Sequence, residues 1–303
     1  MGWVKVTKKE LYRQMDEIVG KDNVREYPKG FSVKCTVSTY EQFEEIIELC
    51  NEYYKELGLS VCYRGQKNSS WKLRPSISRY KNFYKYEYDL LKNFMCVTNS
   101  KKLSVDDIFK AQHYGLTTRL LDVTTDYRVA LWFACQFSSY DNGNLINGSV
   151  FVLPQNSNDD KKIFEQYNIW QIEHIDEVLK CTNVDEIKKI FADKFDITED
   201  LDKSYGKINV FKSSLSDKRI ENQSALGALC DLYVMTGNTR KACFYPSVST
   251  SMSVAILIDA HEKENMLNEL NEKGINEKFL FEDDLEHYSR YLIKKYSNIK
   301  EEK

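Results

Sequence analysis

An arginine directly follows a short apolar run near residue 60 of this 303-residue chain. The stretch LSVCYRGQ covers residues 59–66, and residues 60–64 within it predict a buried strand that ends in Arg64. Gly65 would allow a tight turn and the close approach of a ligand to the backbone. Because a guanidinium matches a phosphate with two parallel hydrogen bonds, Arg64 is a candidate for anion recognition. The structural alternative is that Arg64 caps a sheet edge or pairs with a carboxylate.

A second group of polar side chains interrupts one of the most apolar stretches of the chain, AQHYGLTTRLLDVTTDYRVALWFAC at residues 111–135. A helix predicted near 105–114 carries His113 and Tyr114 in its last turn, and Gly115 ends it. Helix capping farther along the block does not explain these two polar rings. We therefore treat them as candidate ligand-binding residues.

The same block continues with a further set of polar residues: Arg119, Asp122, Thr124, Thr125 and Asp126. Residues 118–122 predict a short strand or extended crossing, and the last three polar residues are candidate N-caps of an apolar helix predicted at 127–139. A helix N-terminus beside an arginine is suited to bind an anion or a hydroxyl. The structural alternative is that Thr125 or Asp126 only caps the helix and that Arg119 pairs with Asp122 in the core.

Weaker candidates lie later in the chain. The run at 219–223 holds Arg219, Glu221, Asn222 and Gln223, a pattern that is also typical of a solvated helix start. The hydroxyl-rich stretch at 245–253 is typical of a strand with one wet face. We find no spacing of His, Cys, Asp and Glu that is typical of a metal site and expect no metal.

The elements that would position these residues mix helices and strands. Further helices are predicted after a capping-box spacing at 38–41 and at 84–98, 261–273 and 284–296, and further strands at 148–153 and 253–259. Residues 65–80 predict a polar loop held by one buried anchor, Trp71. The charge-rich residues near 155–210 predict a helical insertion. We expect a helical and extended region at 1–58 that packs on an α/β domain at 59–303.

Composition limits the classes of protein and compartment. The chain has 43 Lys and Arg against 46 Asp and Glu, so its net charge of -3 gives no overall attraction to nucleic acid, although a local basic patch remains open. The 8 cysteines are scattered and predict free thiols. The longest apolar runs are far shorter than the roughly 20 residues of a membrane helix, and no secretory signal begins the chain. We expect a cytoplasmic protein without membrane contact.

Several segments of the chain resemble the FRG domain family, which is named for a Phe-Arg-Gly motif. They are YRGQ at 63–66, WKLRPSISR at 71–79, the block at 111–135 and, more weakly, RIENQS at 219–224 and LFEDDLEHYSRYL at 280–292. Departures from the family pattern are Tyr63 for Phe, Thr117 for Pro, Val123 for Trp, Ala225 for Gly and Glu282 for Pro. The family name alone does not imply an activity.

The motif order also looks like that of the mono-ADP-ribosyltransferases. In those enzymes a strand ending in Tyr-Arg-Gly is followed by a Ser/Thr-rich strand end, a helix rich in alanine and aromatics, and a later Glu or Gln. Here the order is Arg64, then Thr124 and Thr125 ahead of VALWFA, then Glu221 or Gln223. This likeness implies an α+β fold, with a mixed or antiparallel central sheet flanked by helices, and NAD as the substrate.

The likeness also implies roles for individual residues. Arg64 would hold the pyrophosphate, Tyr63 or Tyr114 would stack on nicotinamide, and Thr124 or Thr125 would orient the ribose. Glu221 or Gln223 would hold the ribose 2′-hydroxyl. His113 would position or deprotonate an acceptor, unless it is an oriented structural histidine. The predicted NAD-binding set is completed by Gly65, Gln66, Arg119 and Asp122. A lower-ranked mapping takes Ser249–Ser251 and Glu282 as the later motifs.

Three functions remain open at this stage. The first is an NAD-dependent ADP-ribosyltransferase-like enzyme, a toxin or antiphage defence effector that modifies protein or nucleic acid and that an antitoxin or regulatory partner would control. The second is a non-catalytic module that binds nucleic acid or a phosphorylated ligand along Arg64, Lys72, Arg74, Arg79 and Arg119. The third is a phosphodiester-cleaving enzyme that uses His113 with Arg64 and Arg119.

Overall fold

The computed structural model describes residues 7–26, 33–137, 145–156, 161–198, 201, 207–215, 217–236, 242–247 and 252–282. The α-helices are α1 (Lys8–Val19), α2 (Tyr40–Glu56), α3 (Glu87–Thr98), α4 (Val105–His113), α5 (Tyr127–Cys135), α6 (Lys161–Glu173), α7 (Ile175–Val178), α8 (Val184–Phe195), α9 (Lys218–Asn222), α10 (Lys263–Glu272) and α11 (Glu277–Leu280). The strands are β1 (Val24–Glu26), β2 (Val33–Val37), β3 (Val61–Gln66), β4 (Leu120–Thr124), β5 (Gly148–Pro154), β6 (Asn209–Phe211), β7 (Ala225–Leu229), β8 (Asp231–Thr236), β9 (Ala242–Ser247) and β10 (Val254–Ile258).

Eight of these strands form one sheet in the order β1-β2-β10-β5-β3-β4-β7-β6. β2 and β10 pair in parallel, whereas the other neighbours in the sheet pair antiparallel. β8 and β9 form a separate antiparallel pair. The expected α+β fold, with a central, mostly antiparallel sheet flanked by helices, is confirmed. β1 and β2, from the N-terminal region, belong to the same sheet as the rest.

Most of the helices and strands predicted from periodicity are present. The predicted strands at 148–153 and 253–259 correspond to β5 and β10, and the predicted helix at 261–273 corresponds to α10. α5 begins at Tyr127 as predicted but ends at Cys135, because Gln136 has an extended backbone. The helix predicted at 284–296 lies outside the described residues.

The cap of α2 shows how a local signal fixes a helix start. The hydroxyl of Thr39 accepts a hydrogen bond from the N–H of Gln42 (3.2 Å), so the cap is Thr39 rather than Ser38. The amide oxygen of Gln42 accepts from the N–H of Ser38 (2.9 Å). This reciprocal pair aims the apolar face of α2, including Phe43 and Ile46, into the core beneath the sheet.

Arg64 does not end its strand, contrary to the prediction. β3 continues through Gly65 to Gln66 and pairs with β5 over its full length, with Arg64 opposite Phe151. β3 is also the fifth strand of the eight, so the arginine lies inside the sheet and not at an edge. The Gly-Gln sequence suggested a loop, but the ladder to β5 keeps these residues extended.

The contact between α5 and the sheet depends on small residues. A Cβ atom placed on Gly65 would lie 1.8 Å from the carbonyl oxygen of Ala130, and one on Gly148 would lie 2.2 Å from that of Ala134. The two alanines are one helical turn apart and rest on two neighbouring strands. The glycine after Arg64 is therefore required by helix packing, whereas the sequence had suggested a ligand.

The region predicted as a helical insertion has a core of its own. α6, α7 and α8 enclose a cluster of buried side chains that includes Tyr167, Trp170 and Phe191. Ile77 and Tyr84, from the segment after β3, are buried in the same cluster and connect it to the sheet domain.

The polar segment after β3 is anchored differently from the prediction. Trp71 is 48% exposed, whereas Leu73 and Ile77 are buried. The segment contains two short 3-10 helices, Ser76–Arg79 and Phe83–Tyr86. In the part of the chain that the structure describes, no helix has the length and apolar character needed to cross a membrane.

Candidate functional site

β3 and β4 separate immediately after they meet, and this separation opens the sheet. One residue pair joins them, Tyr63 opposite Thr124, although each strand continues to pair with its other neighbour. Beyond that pair, a guanidinium nitrogen of Arg64 donates a hydrogen bond to the main-chain carbonyl of Asp122. The arginine side chain thus takes the place of ladder hydrogen bonds between the two strands.

A cavity of about 370 Å³ lies at this opening. Its walls come from β3, β4, β7, α4, α5 and α9, and its polar lining residues are Arg64, Gln112, His113, Asp122, Thr124, Arg219 and Gln223. Apolar lining includes Tyr63, Phe109, Phe133, Ile220 and Phe281. A few converging polar groups on an apolar wall are typical of small-molecule sites, and this volume lies at the lower end of their range.

Arg64 brings an incompletely satisfied cation to the cavity. Its Nε atom is shielded from solvent and has no hydrogen-bond partner in the described part of the chain. Burial lowers the pKa of the guanidinium, and the nearby Asp122 opposes that shift. Because a buried donor without a partner costs free energy, an anion beside Arg64 would be stabilising.

Asp122 is the one carboxylate among the described residues that line the cavity. Its Oδ1 accepts a hydrogen bond from the side-chain amide of Gln112 (2.6 Å), and Gln112 Oε1 accepts from the hydroxyl of Thr118 (2.6 Å). This chain of hydrogen bonds fixes the orientation of both Gln112 and Asp122. The carboxylate is therefore held at the mouth of the cavity.

Thr124 links the end of β4 to the segment before β7. Its hydroxyl donates to the carbonyl of Gln223 (2.7 Å) and accepts from the N–H of Asp126 (3.0 Å). Asp126 is the N-cap of α5 and accepts from the N–H of Arg128 (2.9 Å), so the capping alternative is confirmed for Asp126. Both functions of the Thr124 hydroxyl are used, which makes Thr124 a positioning residue.

The later motif contributes Gln223 rather than Glu221. Gln223 lines the cavity, and its side-chain amide donates to the carbonyl of Leu280 (3.1 Å) at the end of α11. The side chain of Glu221 is exposed and does not line the cavity. The two residues differ because α9 ends at Asn222 and the chain then turns into β7.

His113 holds a second guanidinium in place. Arg219 Nη2 lies 3.2 Å from His113 Nδ1. A guanidinium can only donate, so Nδ1 accepts. The Nε2 atom lies 3.7 Å from a carboxylate oxygen of Asp217. His113 therefore positions Arg219 through its Nδ1 atom and also lines the cavity.

Tyr63 is the aromatic residue of the predicted set that reaches the cavity. It lines the wall, and its hydroxyl donates to Asn51 Oδ1 (2.6 Å), which fixes the ring. Tyr114, by contrast, is 71% exposed and does not line the cavity.

Arg119 was assigned to the NAD-binding set, but the structure buries it elsewhere. It is 0% exposed, and its Nε and Nη2 lie 2.8 and 2.7 Å from Oε2 of the buried Glu87. Its Nη1 donates to Gln171 on α6 (3.2 Å). The alternative of a buried pair between Arg119 and Asp122 is wrong, because Arg119 lies just before β4 and binds Glu87, whereas Asp122 lies within β4 and binds Gln112.

Two further predicted residues also lie away from the cavity lining. Gln66 is buried, and its amide lies 3.5 Å from the carbonyl of Lys72. Thr125 is exposed and contributes its backbone N–H to Ser224 (3.2 Å).

In the alternative mapping, Ser249–Ser251 lie outside the described residues. Glu282 is exposed and binds Asn222 (3.1 Å) and Lys218 (3.6 Å) without lining the cavity. In the described ranges, no three His, Cys, Asp or Glu side chains are arranged to hold a metal ion.

Several lining residues were not assigned to the predicted NAD-binding set: Gln112 and Phe281 were not named as candidates, and Arg219 was named only as a weaker one. Arg219 lies within the RIENQS segment and Gln112 directly precedes His113, so both stood beside predicted residues. Phe281 lies in the LFEDDLEHYSRYL segment, but its place in the wall depends on its contacts with Trp132 and Phe133 of α5, which the sequence does not show.

Comparison with known families gives one match. The model described as FRG domain matches residues 60–142, which run from β3 past the end of α5. This match supports the resemblance drawn from YRGQ and from the block at 111–135, whereas the weaker later segments lie outside it. No curated protein and no solved structure shows significant similarity to the chain.

Proposed function

We propose that this protein is an NAD-dependent ADP-ribosyltransferase-like enzyme that modifies a protein or a nucleic acid. The observation that carries the proposal is the cavity where β3 and β4 part, which joins Arg64, Tyr63, Thr124 and Gln223. These residues follow the order of the corresponding motifs in mono-ADP-ribosyltransferases. A toxin or antiviral effector of this class would need an inhibitory partner in the cell that produces it.

In this proposal the residues of the cavity divide into binding and positioning roles. Arg64 binds the pyrophosphate, and Arg219, held by His113, adds a second positive charge. Tyr63 and the apolar wall contact the nicotinamide end. Thr124 and Gln223 position the loop before β7 through their own hydrogen bonds.

Asp122 takes the role that the likeness assigned to Glu221 or Gln223. In the reaction the bond between ribose C1′ and the nicotinamide nitrogen breaks, and nicotinamide leaves as a neutral molecule with the bonding electrons. The acceptor then bonds C1′ and releases its proton to water. Positive charge develops on the ribose during this step, and a carboxylate that is held in a fixed position at the cavity stabilises that charge.

Arg64→Ala is expected to weaken NAD binding and to lower the rate of nicotinamide release by about 100-fold, because it removes the cation that lies where β3 and β4 part. The wild-type protein should gain about 2.7 kcal/mol of stability in a thermal-shift titration at a hundred times the dissociation constant of NAD. Arg13→Ala, which removes an exposed arginine on α1, is the matched control.

Two results would contradict the proposal. One is a wild-type protein that releases no nicotinamide in the presence of candidate acceptors, measured beside an active transferase. The other is equal NAD stabilisation of the wild type and the Arg64→Ala variant. Binding without turnover would instead favour a non-catalytic module.

A second comparison tests which acidic residue takes part. Asp122→Asn is expected to lower the turnover of nicotinamide release by about 100-fold, and Glu221→Gln should leave it unchanged, because only Asp122 lines the cavity. Steady-state kinetics with NAD, together with a melting curve for each variant, measure this difference. Equal loss of turnover in both variants would overturn the assignment.

A further inference from the structure

A second cavity, of about 250 Å³, adjoins the first. Arg64, Gln112 and Asp122 line both cavities, and the polar residues that line only the second are Ser76, Arg79 and Thr117. Ser76 and Arg79 come from the 3-10 helix after β3. The second cavity thus lies between the open sheet and the segment that follows β3.

The second cavity holds donors that have no partner. Within the described residues, neither the Nε of Arg64 nor the buried hydroxyl of Thr117 has a hydrogen-bond partner. Arg79 is exposed and lines the second cavity together with Arg64, and its positive charge contributes to the lowered pKa of the Arg64 guanidinium. Arg79 and the Thr117 hydroxyl belong to the second cavity alone, whereas Arg64 and Asp122 are shared by both cavities. A guanidinium and a hydroxyl that no carboxylate of their own offsets favour an anion there.

The segment that forms this wall has an unusual charge. Residues 67–86 contain six Lys or Arg residues and no Asp or Glu, in a chain with a net charge of -3. Arg79, Lys81 and Lys85 are exposed. We call residues 67–86 the basic segment. A local positive strip on an otherwise acidic protein is the electrostatic footprint of a nucleic-acid site.

The same segment exposes flat aromatic rings. Tyr80 and Tyr86 are each 59% exposed, and their ring centroids lie 5.6 and 6.5 Å from that of Phe83. Trp71 is 48% exposed, and the ammonium group of Lys67 lies 5.9 Å from its ring centroid. Large rings left open to solvent beside cations are suited to stack on unpaired bases.

We infer that the basic segment binds single-stranded nucleic acid, with a backbone phosphate in the second cavity beside Arg79 and bases stacked on Tyr80 and Tyr86. The inference also rests on the proposed function: the bound nucleic-acid strand is the acceptor for the ADP-ribosyl group in the first cavity. The repeated exposed rings favour a single strand over a duplex, whose bases are already stacked. They also favour it over a phosphorylated peptide, which has no regular series of flat rings.

The test measures binding of a fluorescent 12-nucleotide single strand to the full chain by anisotropy, without NAD, at several salt concentrations. Arg79→Ala with Lys81→Ala should weaken binding at least tenfold and lower the slope of log affinity against log salt by about 1.4, the value for two single-strand phosphate contacts. Lys9→Ala with Lys189→Ala removes the same charge from exposed sites elsewhere and is the matched control. Tyr80→Ala should weaken binding about tenfold, and Tyr80→Phe should restore it.

Three outcomes would overturn the inference. The first is that the Arg79/Lys81 variant binds the single strand as tightly as its control does, and the second is that a duplex or a phosphopeptide binds more tightly than the single strand. The third is that the Arg79/Lys81 variant loses NAD binding but keeps oligonucleotide binding. The two proposals fail separately, because oligonucleotide binding is measured without NAD, whereas NAD binding is measured by thermal shift without oligonucleotide. Transfer of label from NAD to the bound strand supports its role as acceptor, and nicotinamide release without such transfer overturns that role.

Discussion

Replacing Glu87 by Gln is expected to lower the free energy of unfolding by about 3–5 kcal/mol, because it leaves a buried guanidinium without its counter-ion. Glu87 Oε1 accepts from the backbone N–H of Arg119 (2.9 Å), and Oε2 accepts from the side chain of the same residue (2.8 Å). Both side chains are shielded from water. Glutamine keeps the shape but removes the charge and turns one acceptor into a donor.

Urea denaturation measures this effect as a lower midpoint with an unchanged slope. The double variant Glu87→Gln with Arg119→Met removes both charges, so its loss should be smaller than that of the single variant. In this double variant, Gln171 loses its hydrogen bond from Arg119 but still accepts one from the backbone N–H of Leu232 (3.2 Å).

The exposed pair of Glu10 and Arg13 on α1 is the control, and Glu10→Gln should leave the urea midpoint unchanged. A midpoint shift for Glu87→Gln no larger than that of the control would show that the buried pair contributes little. The prediction matters for the site because Arg119 lies just before β4, the strand that carries Asp122 to the cavity.

Local sequence patterns predicted the elements that depend on neighbouring residues. The apolar runs of β5 and β10 and the amphipathic faces of α2 and α10 are set by side-chain periodicity, so they could be recognised without tertiary information. The exact ends of α5 and β3 could not. β3 continues past Arg64 because β5 supplies a partner strand, and that partner lies more than 80 residues away in the sequence.

The site could be predicted as a set of candidate residues but not as a geometry. Arg64, Thr124 and Gln223 were named from motif order, and they line one cavity. Arg119 looked equally suitable, yet its partner Glu87 lies 32 residues earlier and draws it into the core. A sequence gives the type of a polar side chain, whereas strand register decides which face it occupies.

The choice between Glu221, Gln223 and Asp122 shows the same limit. Glu221 and Gln223 differ by two residues, and the end of a short helix separates an exposed side chain from a lining one. Asp122 was predicted to bind NAD and not to be the acidic residue that acts on the ribose. It lies about 100 residues before the RIENQS segment, and the sequence does not show that its carboxylate lines the same cavity.

Gly65→Ala is expected to destabilise the protein by at least about 3 kcal/mol in the absence of any ligand, at the upper end of the cost of overpacking. Its new Cβ would lie 1.8 Å from the carbonyl oxygen of Ala130 and 3.0 Å from the backbone nitrogen of Ala134. These are backbone atoms, so no side-chain rotation relieves the clash, and α5 must move away from β3. Chemical denaturation without NAD measures the loss.

Gly148→Ala should cost a similar amount, because it meets the carbonyl oxygen of Ala134 at 2.2 Å in the same interface but does not line the first cavity. Gly58→Ala is the control: it has a positive φ of +71° and open space around it, so it should cost only about 1 kcal/mol.

If Gly65 were present only for ligand approach, Gly65→Ala would keep wild-type stability and lose NAD binding alone. That result would contradict the packing role, which requires a loss of stability. α5 also carries Val129, Ala130 and Phe133 into the wall of the cavity. A shift of this helix therefore changes stability and site together, whereas a ligand-approach role changes the site alone.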